Sequence, residues 1–412
     1  YDAGTELEYD MQEVAGHAMG SVRLVVEEFV GGGFAGQVYR VKVIEINTAS
    51  GSLGDLEAGG TCAMKILIPP SGFSRLFRNI LYWIGFQGPF QLQLNPAAAR
   101  AGAIWQKFFR RGAGIRFGTE NAVVDIIATF IDHHLGSCGE LSEWVEGRTW
   151  RLEVDDRLDL LKRWRRGKTV NPALLGSAEY RAKYNFMKLF VELLHDMGGH
   201  EFARQYEWST CKSQPNVLKR EGSEENPSAG LVAVDFRAGL ALLPFLPMSP
   251  GDFALIFKGF GRGSLVQFDR GSIKKLESFI AEHEADFADM EQMLVDLKTA
   301  ERIYRHSVPD ITHNFLRLLY SRRLWSTMLT STVTGWKVKN VVDEAGAQKL
   351  VHRRILTVLV AVVGLIPLIG TFFQRFLFYG AWHKHYMAMI TRREYFKRTV
   401  RARMAEKAIV WH

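Results

Sequence analysis

Residues Ser21–Val30 are β-branched and apolar, and Val38–Ile46 alternates apolar with polar positions, the two-residue period of a half-buried strand. A glycine cluster joins the two. Gly51–Gly60 reads as a glycine-rich turn, and Thr61–Ile68 as a third strand closed by Pro69-Pro70. Asn95-Pro96 is a helix start, with Asn as cap and Pro in the first turn, and the helix it opens is predicted to run to about Arg111. Residues 122–147 read as two further strands ending in Glu143-Trp144-Val145-Glu146-Gly147. From Ala178 to about His200 the apolar spacing turns helical (Phe186, Leu189, Phe190, Leu193, Leu194). Ser272 to about His306 is predicted as one long helix of roughly 50 Å. Its seam steps through Leu276, Ile280, Phe287, Met290, Leu294, Leu297 and Tyr304, and only His283 and Glu301 interrupt it. No internal repeat is present.

Composition changes this picture in two places. With 47% hydrophobic and 23% charged residues and no low-complexity tract, the 412-residue chain is neither disordered nor fibrous. Its net charge of +8 suggests nucleic acid until the charge is located. Residues 351–412 hold 11 Lys and Arg against 2 acids, a net +9, whereas the other 41 basic and 42 acidic residues leave the body at −1. The body is neutral and the tail is basic. Cys62, Cys138 and Cys211 are too few and too scattered for a disulfide framework or a CxxC knuckle, so a reducing compartment is expected. The chain opens on Tyr1 rather than methionine, which suggests a start further upstream, and its first thirty residues hold no signal-peptide pattern.

The tail also carries Ile355–Phe373, 19 residues without a charge. That length is a membrane segment rather than a buried core helix. A break at its centre, Gly364-Leu365-Ile366-Pro367-Leu368-Ile369-Gly370, predicts a re-entrant or interfacial hairpin with both ends cytoplasmic. One tilted span from about Ile355 to Trp382 is the competing expectation. Arg392, Arg393, Lys397, Arg398, Arg401, Arg403 and Lys407 beside an apolar run suit anionic headgroups better than nucleic-acid phosphates. Membrane lipids and a membrane-protein partner are therefore expected, and nucleic acid is not. The aromatic stretch Phe73–Phe90, almost free of charge, is a second candidate for a lipid or partner surface.

Five pieces carry candidate chemistry. Gly31-Gly32-Gly33-Phe34-Ala35-Gly36-Gln37-Val38 fits G-x-G-x-x-G-x-V between two strands; such glycines let backbone N–H groups close over a polyphosphate, and the valine packs on a base. A helix would have to follow for a dinucleotide site, and a strand follows instead. Alone, the pattern is no more than a tight hairpin. Ala63-Met64-Lys65-Ile66-Leu67 ends the third strand with a lysine. Gly139-Glu140-Leu141-Ser142-Glu143-Trp144-Val145 resembles a strand running into a hinge. Lys212-Ser213-Gln214-Pro215-Asn216-Val217-Leu218 follows a helix, and Leu231-Val232-Ala233-Val234-Asp235-Phe236 is an apolar strand ending in Asp-Phe, with room for a β-hairpin between Asn216 and Asp235.

In this order, residues from about 21 to 240 resemble the protein-kinase-like superfamily. The tail narrows the likeness to membrane-associated atypical kinases such as the UbiB/AarF-like proteins or lipid kinases, although their alanine-rich phosphate loop and K-x-G-Q motif are missing. The resemblance implies an α+β bilobal fold: an N-terminal segment over 1–20, an N-lobe over 21–147, a C-lobe over 148–270, a helical extension over 271–350 and the basic membrane tail over 351–412. It implies ATP and Mg²⁺ as cofactors, with Gly31, Gly33, Gly36, Val38, Ala63, Lys65, Glu143 and Val145 about the nucleotide. Lys65, Asn216 and Asp235 would be the catalytic set, the last two holding the metal.

The departures bear on chemistry. Cys211 stands where such kinases place the catalytic Asp, five residues before the metal-binding Asn. Residues 95–112 contain no acid to pair with Lys65, so Gln106 or Glu120 would have to serve, and Arg237 replaces the glycine after Asp-Phe. Either an atypical kinase or ATPase, or a pseudokinase acting as a membrane-bound scaffold, fits that balance. Asp132-His133-His134 and His383-x-His385 are weak metal candidates, and Cys211 beside Lys212 a weak redox one.

Overall fold

The computed structural model describes residues 1–32, 36–49, 52–84, 94–149, 178–204, 206–207, 216–223, 225–236, 241–242, 253, 257, 266–267, 271–307, 319–364 and 369–411. The chain is a mixture of helices and strands. Strands β1 (Glu6–Glu13), β2 (Met19–Gly32), β3 (Gln37–Thr48), β4 (Thr61–Ile66), β5 (Ile126–Asp132) and β6 (Ser137–Glu143) form a closed antiparallel barrel in the order β1-β2-β3-β4-β6-β5. Alternation drives the closure. Val22, Leu24 and Val26 of β2, Tyr39, Val41 and Val43 of β3 and Cys62, Met64 and Ile66 of β4 all turn into one core. The barrel closes where Met11 of β1 lies opposite Phe130 of β5, leaving no free sheet edge. The segment before residue 21 is thus part of the barrel, not a lead-in. Its acids alternate with Leu7, Tyr9 and Met11, so a strand with one buried face reads as polar sequence.

After β4 comes α1 (Gly72–Ile84), within the aromatic stretch; Phe73, Leu76, Phe77 and Ile80 on it are exposed. Helix α2 (Pro96–Phe117) starts as predicted, with Asn95 Oδ1 accepting from Ala97 and Ala98 N–H, and runs six residues past Arg111. It buries Ile104, Trp105, Phe108 and Phe109 in a second core. That core is completed by α3 (Ala178–Asp196), the short α4 (His200–Ala203) and a three-stranded sheet of β7 (Gly147–Thr149), β8 (Val217–Arg220) and β9 (Leu231–Ala233). Strands β10 (Ala241–Leu242) and β11 (Val266–Gln267) make a separate small pair.

The predicted long helix is three pieces. Helix α5 (Ile273–Glu282) is capped by Ser272, α6 (Glu284–Phe287) follows His283, and α7 (Glu291–Ser307) begins after a 3-10 turn. A straight rod of that length could not bring Leu276, Phe279, Phe287, Met290 and Leu297 into one core around α2, and here all five are in it. The bend is pinned from α2: Arg111 donates to Asp286 O and, through both terminal nitrogens, to Asp289 at 2.7 and 2.9 Å. Glu301, an interruption in the seam, is buried and accepts from Trp105 Nε1 at 3.0 Å.

Helices α8 (Arg322–Val338), α9 (Glu344–His352), α10 (Arg354–Gly364), α11 (Ile369–Phe378), α12 (Gly380–Thr391) and α13 (Arg393–Trp411) complete the chain. Val333, Trp336, Leu350, Val360 and Phe378 form their own core, and Val338 packs with Leu67, Leu94, Ala99 and Cys138 against the barrel. Asp343 joins the set by accepting from Gly346 N at 2.7 Å and from Gly380 N at 2.6 Å, so one carboxylate caps α9 and α12. Helix α10 ends at Gly364, α11 begins at Ile369 and α12 begins after Tyr379, while residues 365–368, at the centre of the expected break, lie outside the described residues. Among the described residues no helix is long and apolar enough to cross a membrane.

The Arg111 hydrogen bonds hold the Asp289 carboxyl below its ordinary range and raise the guanidinium. A depressed carboxyl contributes stability above its unfolded pKa, and that contribution is lost as pH falls through the folded value. Asp289→Asn is therefore expected to be less stable than the parent near neutral pH in chemical denaturation, and the difference should close at pH values below the carboxylate range.

Candidate functional site

The site grows from two strand ends. Met64 and Ile66 point into the barrel, so Lys65 between them points out, in a row with Val38 on β3 and Glu140 on β6. In the other half, β8 and β9 pair with Val217 opposite Ala233 and Leu218 opposite Val232. That register carries one step further, Val234 N–H donating to Asn216 O at 2.9 Å, and brings Asn216 alongside the residues that lead to Asp235. Asp235 then reaches across to the barrel. Its Oδ1 lies 2.8 Å from Lys65 Nζ, joining residues 170 positions apart, and the two side chains are only 14% and 25% exposed.

Asp235 is fixed from behind by Tyr206, which no motif indicated. The Tyr206 hydroxyl donates to Asp235 O at 2.7 Å and accepts from Asp235 N–H at 3.2 Å. Burial, and then the charge of Asp235, push its ionisation well above the usual tyrosine range, so it stays a donor. Phe236 anchors the same segment from the other side, packed on Phe109, Phe190 and Tyr206. Glu140 was also missed. It is buried and lies directly opposite Lys65 across the β4–β6 ladder.

Neither expected substitute, Gln106 on α2 or the later Glu120, serves. Gln106 donates to Val124 O at 2.9 Å, and Glu120 is paired with Arg110 and Arg111. Lys107 is bound to Asp125 at 2.7 Å. The helix is committed to the chain before β5 and offers Lys65 no partner.

The other sequence candidates fall around this pair unequally. Ala63 lies on the outer face of β4, two residues from Lys65, and Val38, half-buried, lies opposite Lys65 across the β3–β4 ladder. Gly31 and Gly36 flank the tip of the β2–β3 hairpin, while Gly33 lies outside the described residues. A Cβ on Gly36 would stand 2.6 Å from Ile66 O, so close approach to β4 already requires glycine there. Glu143 is turned to Arg220, 2.7 Å from its guanidinium, and Val145 is buried in the second core. Cys211 and Arg237 lie outside the described residues. Asp132 is fully buried, accepting from the Tyr9 hydroxyl at 2.6 Å and from Leu135 N–H at 2.6 Å, with His133 and His134 exposed. His383 contacts Phe376 O, and His385 the Tyr395 hydroxyl. No group of three or more metal-ligating His, Cys, Asp or Glu occurs among the described residues.

No protein-family model and no curated protein matches this sequence. Among solved structures, a rhoptry kinase from Toxoplasma gondii aligns over 87% of this chain and 86% of that one, at 8% identity and a TM-score of 0.30. So loose a superposition carries no functional weight, and the geometry of Lys65 and Asp235 has to stand alone.

A pair this sheltered should be measurable. A double-mutant cycle of Lys65→Met and Asp235→Ala, read by denaturant unfolding, is expected to give a coupling of about 1–2 kcal/mol, between exposed and fully buried pairs. Tyr206→Phe should reduce that coupling by loosening the backbone of Asp235. A coupling near zero would mean the contact is geometry without energy.

Proposed function

We propose that the chain is a membrane-associated, kinase-like protein whose cleft between β4 and the β8–β9 hairpin takes ATP with magnesium. The observation that carries this reading is the meeting of Lys65 and Asp235 with Asn216 alongside. A lysine ammonium suits phosphate oxygens, and one carboxylate with one amide oxygen is the donor set a magnesium ion uses when a nucleotide supplies further oxygens. Such a set does not hold a metal by itself, and no cluster of three or more ligating residues occurs among the described residues. Magnesium bound there would neutralise phosphate charge. The protein's own part is to exchange Lys65 from Asp235 to the phosphates, the metal then balancing the carboxylate. Tyr206 keeps that carboxylate in place throughout.

Binding stands ahead of phosphoryl transfer. Cys211 in place of an oriented carboxylate offers no base for a substrate hydroxyl, so the reading is a pseudokinase or an atypical kinase or ATPase with its base elsewhere. The body sits on the cytoplasmic face, where ATP is, and the basic tail and exposed α1 supply the lipid-facing surfaces. A second reading is a non-catalytic scaffold of a membrane complex that binds no nucleotide. It is favoured by Lys65 being already satisfied and by Gly36 having a packing reason.

Nucleotide titration with and without magnesium, read as thermal stability, separates them. At a hundredfold excess over the dissociation constant MgATP is expected to add roughly 2.7 kcal/mol. Lys65→Met and Asp235→Ala should each remove that gain while the apo proteins stay folded. An unchanged melting temperature with every nucleotide would leave the scaffold reading standing.

A further inference from the structure

We infer that α10 and α11 are a shallow, in-plane anchor for an anionic bilayer surface, held by the basic residues of α13. The inference deepens the membrane half of the proposed function and does not depend on the nucleotide half.

Each of the two helices buries one face and leaves an apolar one uncovered. In α10, Thr357 and Val360 turn inward, while Ile355, Leu359 and Val362, spaced to lie one above another, are 80%, 58% and 58% exposed. In α11, Gln374 and Phe378 turn inward, and Phe373 and Leu377 are 44% and 58% exposed. A helix that met only water on that side would carry polar residues there. The pair is tightly joined: Gln374 Nε2 donates to Val360 O at 3.3 Å, and a Cβ on Gly370 would meet Val363 O at 2.4 Å. Neither helix is long enough to cross by itself. Helices of 11 and 10 residues reach about 16 and 15 Å at 1.5 Å per residue, against about 30 Å of hydrocarbon.

Charge decides what covers this surface. Arg353 and Arg354 lead into α10, and Arg392, Arg393, Arg398 and Arg401 are exposed further on. The tail's net +9 would repel a second copy of itself, and the body, at a net −1, adds little overall attraction. An anionic headgroup layer satisfies both the charge and the apolar faces. At the junction with α12, Arg375 stacks on Trp382 at 4.8 Å, and Phe372 and Tyr386 pack at 4.7 Å, the aromatic and basic mixture of a membrane interface.

The test is co-sedimentation of the full chain with phosphatidylcholine vesicles, with and without phosphatidylserine. Binding is expected only with phosphatidylserine and should weaken as salt rises. Leu359→Asp and Leu377→Asp should each lower affinity on the order of a hundredfold, and Arg398→Gln and Arg401→Gln roughly fivefold each, with unchanged thermal unfolding. If neither vesicle binds the parent protein, this inference and the membrane reading fall together, while a MgATP shift would still uphold the nucleotide reading. If Phe73→Asp abolishes binding and Leu359→Asp does not, the membrane reading survives on α1 and the α10–α11 surface is overturned. Concentration-dependent dimerisation that Leu359→Asp removes would assign the face to a second copy and overturn it as well.

Discussion

Helix α2 has polar obligations on every side, and the rest of the structure is arranged around them. Trp105 needs an acceptor and finds buried Glu301 on α7; Gln106 and Arg110 donate to the carbonyls of Val124 and Val123; Lys107 is paired with Asp125. Buried donors left without partners cost about 1–3 kcal/mol each, so the helix has little freedom to shift. It bridges the barrel and the helical half, and Arg111 fixes the bend that folds α5 and α7 around it.

That commitment reaches the cleft. With no acid on α2 and its polar side chains spent elsewhere, that helix offers Lys65 no counter-charge, and Asp235 meets the lysine from the three-stranded sheet. Asp235 supplies the counter-charge because the β8–β9 register and Tyr206 leave its backbone one position to occupy. The ion pair therefore acts both as a clasp between the barrel and the three-stranded sheet and as the group any anionic ligand would have to open. A polyphosphate can replace the carboxylate on the lysine only if a cation replaces the lysine on the carboxylate.

The C-terminal helices follow a different logic. Their inward faces make an ordinary small core around Trp336 and Leu350, tied to the barrel by Val338, and the carboxylate of Asp343 holds two helix starts together. Their outward faces carry apolar side chains beside arginines. The proposed membrane anchor rests on that division.

Much of the barrel was legible because alternation survives wherever one face is buried: Val38–Ile46, Thr61–Ile68 and the strands after residue 122 declare themselves, as does the Asn95-Pro96 cap. The hairpin between Asn216 and Asp235 was legible from spacing. By itself the sequence determined these local states, because each depends on neighbours a few residues away. Tertiary structure alone decided the rest. Only long-range pairing with β5 makes Glu6–Glu13 a closing strand, and only Arg111 turns an unbroken helical seam into a bend. Glu140 and Tyr206 belong to no local pattern; what places them beside Lys65 and Asp235 is a ladder register and a buried hydroxyl. The Lys65–Asp235 contact closes a loop of 170 residues; the sequence shows that α2 offers no acid, but only the fold brings Asp235 to the lysine.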